Sequence, residues 1–402
     1  MPRLPGKIWL LQAGVLVNFL GNGMVAPFLV IYLHFGRGIP VAVAGSAVAL
    51  GGITAVISGL AAGSLAERLG PRNILVAAMV SNAVAYFLYT RVTVPWEAFG
   101  VGLLVGAGTG AYGPSSQNLI ASLVRAEDRQ VAFAQNRVTS VVGLGLGGAV
   151  GGVAAARGLE GYLSLLRLDA ITFLLFAALC LLLPTGRAVI AVSAHGGYAQ
   201  VVRDRAFVAL VAVNMAMVAA GIAPMMVLLP AFAKTQAHIS ETAIGALYAL
   251  NTLTIVAAQL PLTRATRARG RLTLLRAAAL LWVGCWLVCF GAGWLGGTPS
   301  VVAFAFAAVV YAIGECCYTS VILPATVALA PPALRGRYLG AMALSWQSGF
   351  LLGPSVGAFV LGGLPAALPL VCAAGCLGAA VGTLEVDRRL APERRRAIAV
   401  AA

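Results

Sequence analysis

Charged side chains are expensive inside hydrocarbon, so the few that fall within long apolar runs mark where chemistry can occur. Glu315 stands in the middle of the run 301–329, about 20 Å of helix from either end at 1.5 Å per residue. Tyr311 and Tyr318, at i−4 and i+3, share its helix face. A desolvated carboxyl in that position suits a group that takes up and releases protons, and the alternative is a structural Glu bonded between helices beside Gly314. Arg137 lies about two turns inside the run 131–156, where it either faces a cavity or snorkels back over Phe133. Asp169 opens the run 168–183, two residues after Arg167, and reads as a shallower group that caps or pairs locally, with the coupling role in reserve. Glu315, Asp169 and Arg137 are thus the candidates for proton coupling.

Uncharged polar groups in the same runs are the candidates for a substrate cavity. Asn18 and Asn22 share a face at i, i+4; Tyr112 and Gln117 flank Ser115 and Ser116; Trp346 and Gln347 are adjacent. With Tyr311 and Tyr318 they supply aromatic and amide groups without strong charge, which suits bulky amphiphiles better than sugars or phosphates. Singly, each can equally bond one helix to another. Nothing reads as an enzyme. His34, His195 and His238 lie in or beside loops, no G-x-S-x-G nucleophile turn occurs, and no G-x-x-x-x-G-K-[ST] phosphate loop supports ATP hydrolysis. The seven cysteines all sit in apolar runs and form no metal-ligand or disulfide pattern.

The elements that must position these groups follow from hydropathy and charge. A chain 60% hydrophobic and 10% charged, with a mean hydropathy of +0.94, belongs in lipid. A helix needs ~20 apolar residues to cross the hydrocarbon core, and twelve such spans are predicted. They cover 9–33, 43–65, 74–89, 99–124, 131–156, 168–183, 207–231, 243–262, 272–295, 301–329, 338–361 and 364–384. Twenty-one of the 27 Lys and Arg fall in every second gap, so those gaps and both termini are expected in the cytoplasm. The net charge of +15 is spread over these short loops, which argues against a nucleic-acid surface.

A long gap with Pro184 and a Gly-Gly pair divides the spans into a bundle at 1–184, a linker at 185–205 and a bundle at 206–402. The two bundles repeat. A shift of 206 carries Arg129 to Arg335 and brings Gly143, Gly147 and Gly151 onto Gly349, Gly353 and Gly357, with Gly108 and Tyr112 onto Gly314 and Tyr318. A shift of 196 carries Asn18 to Asn214. The fold class is therefore all-α integral membrane, with twelve helices in two pseudo-symmetric six-helix bundles and substrate held between the repeats.

Two motifs add a family. G-S-L-A-E-R-L-G-P-R, from Gly63 to Arg72, joins spans two and three. Gly63 and Gly70 permit a tight turn, while Glu67, Arg68 and Arg72 can pair with charges or helix ends, forming a cytoplasmic gating loop. Gly143, Gly147 and Gly151 make a bare stripe at intervals of four that admits a second helix closely. The loop resembles the signature of the major facilitator superfamily, and the glycine stripe resembles the antiporter motif of its twelve-helix multidrug efflux branch. L-G-N-G-M-V-A-P in span one, L-D-A-I-T-F-L in span six and A-P-P-A-L-R-G-R-Y-L-G before span eleven add to the resemblance. Three departures stand out: Glu67 where the family has Asp, Gly148 where the motif has proline, and no arginine in span four.

The resemblance implies a secondary transporter that expels hydrophobic drugs or natural products in exchange for protons, without a cofactor. It further implies a monomer in a bacterial inner or plasma membrane. The alternatives are a transporter of a polar metabolite or siderophore, whose mark would be several cavity charges, and a non-transporting membrane receptor.

Overall fold

In hydrocarbon no water satisfies the backbone, so an apolar chain closes its hydrogen bonds within helices. The computed structural model describes residues 5–185, 198–266, 269–331 and 334–390, excepting the side chains at 64, 67, 126, 130, 198, 199 and 335. Its first six long helices are α1 (Gly6–Val25), α2 (Val41–Leu69), α3 (Pro71–Tyr89), α4 (Pro95–Leu123), α5 (Arg129–Ala155) and α6 (Leu159–Leu181). The next six are α7 (Arg205–Met217), α8 (Glu241–Ala265), α9 (Arg271–Leu295), α10 (Gly297–Leu329), α11 (Arg335–Gly363) and α12 (Leu368–Arg389). Among the described residues, ten helical segments are long and apolar enough to cross a membrane. The exceptions, α4 and α11, are 29 residues each and carry glycine, serine and amide residues in place of aliphatic ones.

Boundaries are set by local chemistry. Gly70 at φ 80° makes the α2–α3 corner, and Pro71 follows at the first helical position, where its missing N–H costs nothing. α1 breaks before Pro27 and resumes at Leu29–Ile31 and a π-helical turn, Tyr32–Gly36. α7 passes into a π-helical turn, Val218–Ile222, then Ala223–Val227 and Leu229–Ala237, around Pro224 and Pro230. The first helix of each repeat is therefore interrupted at corresponding depth, as Pro27 and Pro224 require. Span six differs from its predicted range. α6 begins at Leu159 rather than 168, because Glu160 and Arg167 are exposed on the outer face of a helix that continues beneath them.

Two compact units result, Met1–Val192 with Ser240–Ala249, and Ser193–Ile239 with Leu250–Ala402. The expected linker at 185–205 holds a short helix, Tyr198–Arg203, and ends where α7 starts; residues 186–197 and the tail from 391 lie outside the described residues. In the first unit α1 packs on α5 and α6, α2 on α4, and α3 on α4 and α6. In the second α7 packs on α11 and α12, and α9 on α10 and α12, the same scheme moved on by six helices. Gln259 of α8 donates to Ser320 of α10 at 3.1 Å, completing the analogue of α2 on α4. All seven cysteines are free and buried.

Candidate transport site

The second unit gathers half of the expected cavity residues, Tyr311, Tyr318, Trp346 and Gln347, around α10. Glu315 is partly exposed, eighteen residues from Gly297 and fourteen from Leu329, and its main-chain carbonyl accepts a bond from Thr319 at 2.8 Å. Beside it runs a ladder of rings. Trp282 of α9 stacks on Tyr311 with centroids 5.4 Å apart and an interplanar angle of 17°, while its indole N–H donates to the Tyr311 carbonyl at 3.1 Å. Tyr318 lies 5.6 Å from Trp282 and 6.3 Å from Trp346, which lies 5.6 Å from Phe350. Gly314 makes this possible, because a Cβ there would stand 2.6 Å from the indole nitrogen.

Tyr318 is fixed at its other end. Its hydroxyl donates to Asn214 Oδ1 at 2.5 Å, and Asn214 Nδ2 donates to Ser345 Oγ at 2.7 Å. Trp346 and Gln347 are partly exposed on α11. Trp282, Asn214 and Phe350 are members of this cluster that the sequence reading did not assign to the cavity. The repeat that maps Asn18 onto Asn214 was the available signal for the second of them.

The first unit distributes its candidates differently. Asn18 is buried on α1 and Asn22 is half-buried. Tyr112 of α4 makes edge contacts with Phe19 at 5.8 Å and Phe176 at 6.4 Å, whereas Gln117 is exposed. Arg137 is exposed on α5. Asp169 is not shallow. It is wholly buried, ten residues from Leu159 and twelve from Leu181, about 15 and 18 Å along the helix. Glu315 is therefore not alone among carboxylates at mid-helix.

At the α2–α3 corner, Gly63 is buried, Arg68 is exposed, and the side chain of Glu67 lies outside the described residues. Arg72 ties the corner to the end of α6: its Nη1 donates to the Leu183 carbonyl at 2.9 Å, and its amide to Thr185 O at 3.4 Å. A guanidinium on the last carbonyls of a helix is favoured by the partial negative charge there. The stripe Gly143, Gly147 and Gly151 of α5 lies against the α1 main chain from Leu16 to Met24, with no room for a Cβ at any of the three. Gly148 and Gly152, on the adjoining face, meet Tyr248 and Gly245 at the start of α8 within the same unit.

Comparison with known proteins adds the following. The model of the Major Facilitator Superfamily matches residues 13–239 and 209–399, which together extend over both repeats. Among curated relatives, Multidrug resistance protein MdtG of Enterobacter lignolyticus (strain SCF1) is 30% identical over 121 residues, 29% of this chain and 29% of that protein. The Na(+), Li(+), K(+)/H(+) antiporter of Planococcus maritimus is 31% identical over 137 residues, 32% and 31% of the two chains. The chain thus aligns with less than a third of the length of these relatives. Solved structures share the fold over nearly the whole chain. The nucleoside transporter NupG, in a mutant form, has a TM-score of 0.80 at 15% identity, covering 94% of this chain and 99% of that one. A D-xylose-proton symporter has a TM-score of 0.72 at 16% identity, covering 94% and 96%. The paired helical units, the glycine-packed helices and a family match extending over both repeats lead to one conclusion: the chain belongs to the Major Facilitator Superfamily and is a membrane transporter, not an enzyme.

Proposed function

We propose that this transporter exports hydrophobic or amphiphilic small molecules in exchange for protons, with Glu315 as the coupling carboxyl. The observation that carries this reading is the ladder Trp282–Tyr311–Tyr318–Trp346–Phe350 beside a single partly exposed carboxyl in the second unit. Stacked and tilted aromatic faces bind bulky apolar or cationic compounds with little demand for exact shape. Sugar or peptide recognition would call for convergent charged and bidentate groups, and the ladder supplies none. The two curated relatives, a multidrug resistance protein and a cation/H(+) antiporter, support the same reading.

Coupling then needs a group that is protonated from one side and released when substrate enters from the other. Glu315 shares its helix face with two ladder tyrosines, so a bulky substrate and a proton would compete for one region. The alternation of charged loops supports a reading with both termini in the cytoplasm of a bacterial inner membrane, and in this reading the chain works as a monomer. No cofactor takes part; the proton gradient supplies the energy.

The test is efflux of a lipophilic cation from energised inverted vesicles, with proton movement followed by a pH dye. Wild-type protein is expected to couple the two, and Glu315→Gln to lose coupled efflux at least ~100-fold while still binding substrate. Coupled efflux at wild-type rate in Glu315→Gln would end the assignment of Glu315, and transport of nucleosides or peptides in place of lipophilic cations would end the assignment of substrate.

A further inference from the structure

α1 and α6 pack antiparallel in a register fixed by two glycines. A side chain at Gly14 would collide with the ring of Phe176, and one at Gly21 with the carboxyl of Asp169 and the hydroxyl of Thr172. Residues 14, 18 and 21 fall at i, i+4 and i+7 and form one face of α1. Asn18 therefore lies on the strip that meets α6, one turn from Gly21. Asp169 is 0% and Asn18 3% exposed. Thr172 donates its hydroxyl to Asp169 Oδ1 at 2.9 Å and to the Asp169 carbonyl. Neither Asp169 Oδ2 nor Asn18 Oδ1 has a hydrogen-bond partner. Both atoms are acceptors, and the amide nitrogen of Asn18 makes no hydrogen bond to Asp169 Oδ2.

A carboxylate oxygen enclosed without a donor calls for a positive species at it, and Asn18 offers a second open oxygen on the strip of α1 that meets α6. No basic side chain fills that role among the described residues: Asp169 forms no ion pair. From α3 the titratable neighbour is Tyr86, whose ring also lies 5.1 Å from Phe173. The facing strip of α1 carries no titratable group. The turn after α1 carries Tyr32 and His34, which bond the carbonyls of Tyr89 and Ile39. On α6 itself Arg167 is exposed and Tyr162 bonds Glu241. On α5, Gly161 against Ala154 sets the register, which puts residue 146 opposite Asp169 and leaves Arg137 nine residues, about 14 Å, away.

We propose that Asp169, Thr172 and Asn18 form a binding site for a monovalent cation, a proton or a sodium ion, between α1 and α6 of the first unit, separate from Glu315. Oxygen ligands from a carboxyl, a hydroxyl and an amide suit either ion. As a proton site, Asp169 carries the hydrogen on Oδ2 and donates it toward Asn18. As a sodium site, the carboxylate neutralises the ion and Asn18 Oδ1 completes the cage. Gly21 leaves the space in which the carboxyl sits. How the site serves transport rests on the coupled-export reading, but its existence does not.

The experiment therefore uses purified full-length protein in detergent without substrate. Infrared difference spectra between acid and alkaline buffer report protonated carboxyls, and the same spectra are taken in sodium chloride and in choline chloride. One protonated carboxyl per chain is expected to disappear in Asp169→Asn and to persist in Glu315→Gln. If sodium chloride lowers the pH midpoint of that carboxyl by competing for it, the site takes both ions. If choline and sodium act alike, it is a proton site. Asn18→Ala keeps the carboxyl and removes one ligand, so it should shift the midpoint even if Asp169→Asn fails to fold. The proposal is overturned if Asp169→Asn leaves the carboxyl signal intact, or if Asn18→Ala leaves both midpoint and sodium response unchanged. Loss of export in Glu315→Gln would leave every one of these readings untouched.

Discussion

Helices α1 and α6 of the first unit and α7 and α12 of the second are the same pair in two repeats, yet they use space in opposite ways. In the first, α1 gives up its side chains at Gly14 and Gly21, and α6 fills the gaps with Phe176 and Asp169. In the second, α12 gives them up at Gly375 and Gly382, and α7 with its π-helical turn fills with Val213 and Ala220. A shift of 206 carries Asp169 onto Gly375 and Phe176 onto Gly382. Polar satisfaction divides along the same line. Gln12, Asn18, Asn82, Ser115, Ser116 and Asp169 each keep an enclosed polar atom without a partner. In the second unit Asn214 is bonded on both sides, and Trp282, at the place of Asn82 beside the matching glycine, donates to a carbonyl. Among its described residues, only Trp286 keeps an enclosed atom without a partner. A shared backbone thus carries one unit whose buried polar groups bond one another and one whose buried acceptors stay open.

The sharpest way to break this comparison is at the glycines, where the two units should behave alike. Gly147→Ala in the first and Gly353→Ala in the second drive a Cβ into the main chain at Leu20 and Ala219. Each is expected to destabilise by about 1–3 kcal/mol through overpacking, read as a lower thermal midpoint in detergent. Gly113→Ala and Gly284→Ala, where no atom lies within 4 Å, are the controls and should hold or gain stability. Equal behaviour of all four would remove the close helix contacts from the account.

Asn214→Leu and Asn18→Leu should then separate the units. The first strands Tyr318 and Ser345 and should cost about 1–3 kcal/mol, whereas the second removes an unpaired acceptor and should cost less than about 1 kcal/mol in sodium-free alkaline buffer. Equal costs would show that Asn18 has a partner too. A smaller effect on stability, but a clear one on rate, is expected at the corner loop. Glu67→Gln and Arg68→Ala should reduce efflux several-fold at near-normal membrane levels, since a lost charge shifts the balance between access states without unfolding a span. Wild-type rates in both would leave the loop a topogenic turn.

The least effect belongs to Glu97, at the start of α4 outside the apolar run. Its carboxylate accepts the N–H groups of Thr93 at 2.7 Å and Val94 at 3.2 Å, and these bonds hold it below the usual carboxylate range. A depressed acid stabilises the fold above its unfolded value and loses that contribution as pH falls through the lowered one. A small drop in thermal midpoint for Glu97→Gln near neutrality, vanishing in strong acid, is the expected pattern. A difference that grows on acidification would be the wrong sign.

Much of this was legible in the sequence. Twelve apolar runs, the alternation of arginines and the 206-residue echo of glycines specified the repeat, because each follows from the cost of backbone and charge in lipid. Tyr311 and Tyr318 were placed on the face of Glu315 by helical spacing, whereas Trp346 entered only as an aromatic residue of span eleven. The depth of Asp169 was not legible. Arg167 and Glu160 made the run look as if it began at 168, and no hydropathy window distinguishes a charge facing outward from one that ends a helix. Nor could Trp282 be found, because its role depends on Gly314 of a neighbouring helix and not on any pattern along α9.

The seven cysteines carry a practical consequence. A thiol reacts as its thiolate, and enclosure in apolar surroundings keeps all seven from reagents dissolved in water. The natural protein is in effect its own unlabelled background. A single cysteine introduced at Gly158, exposed between α5 and α6, or at Arg68, exposed at the opposite turn, becomes the target for a membrane-impermeant maleimide in whole cells. Which of the two is modified from outside then reports the sidedness of the chain without removal of any native cysteine.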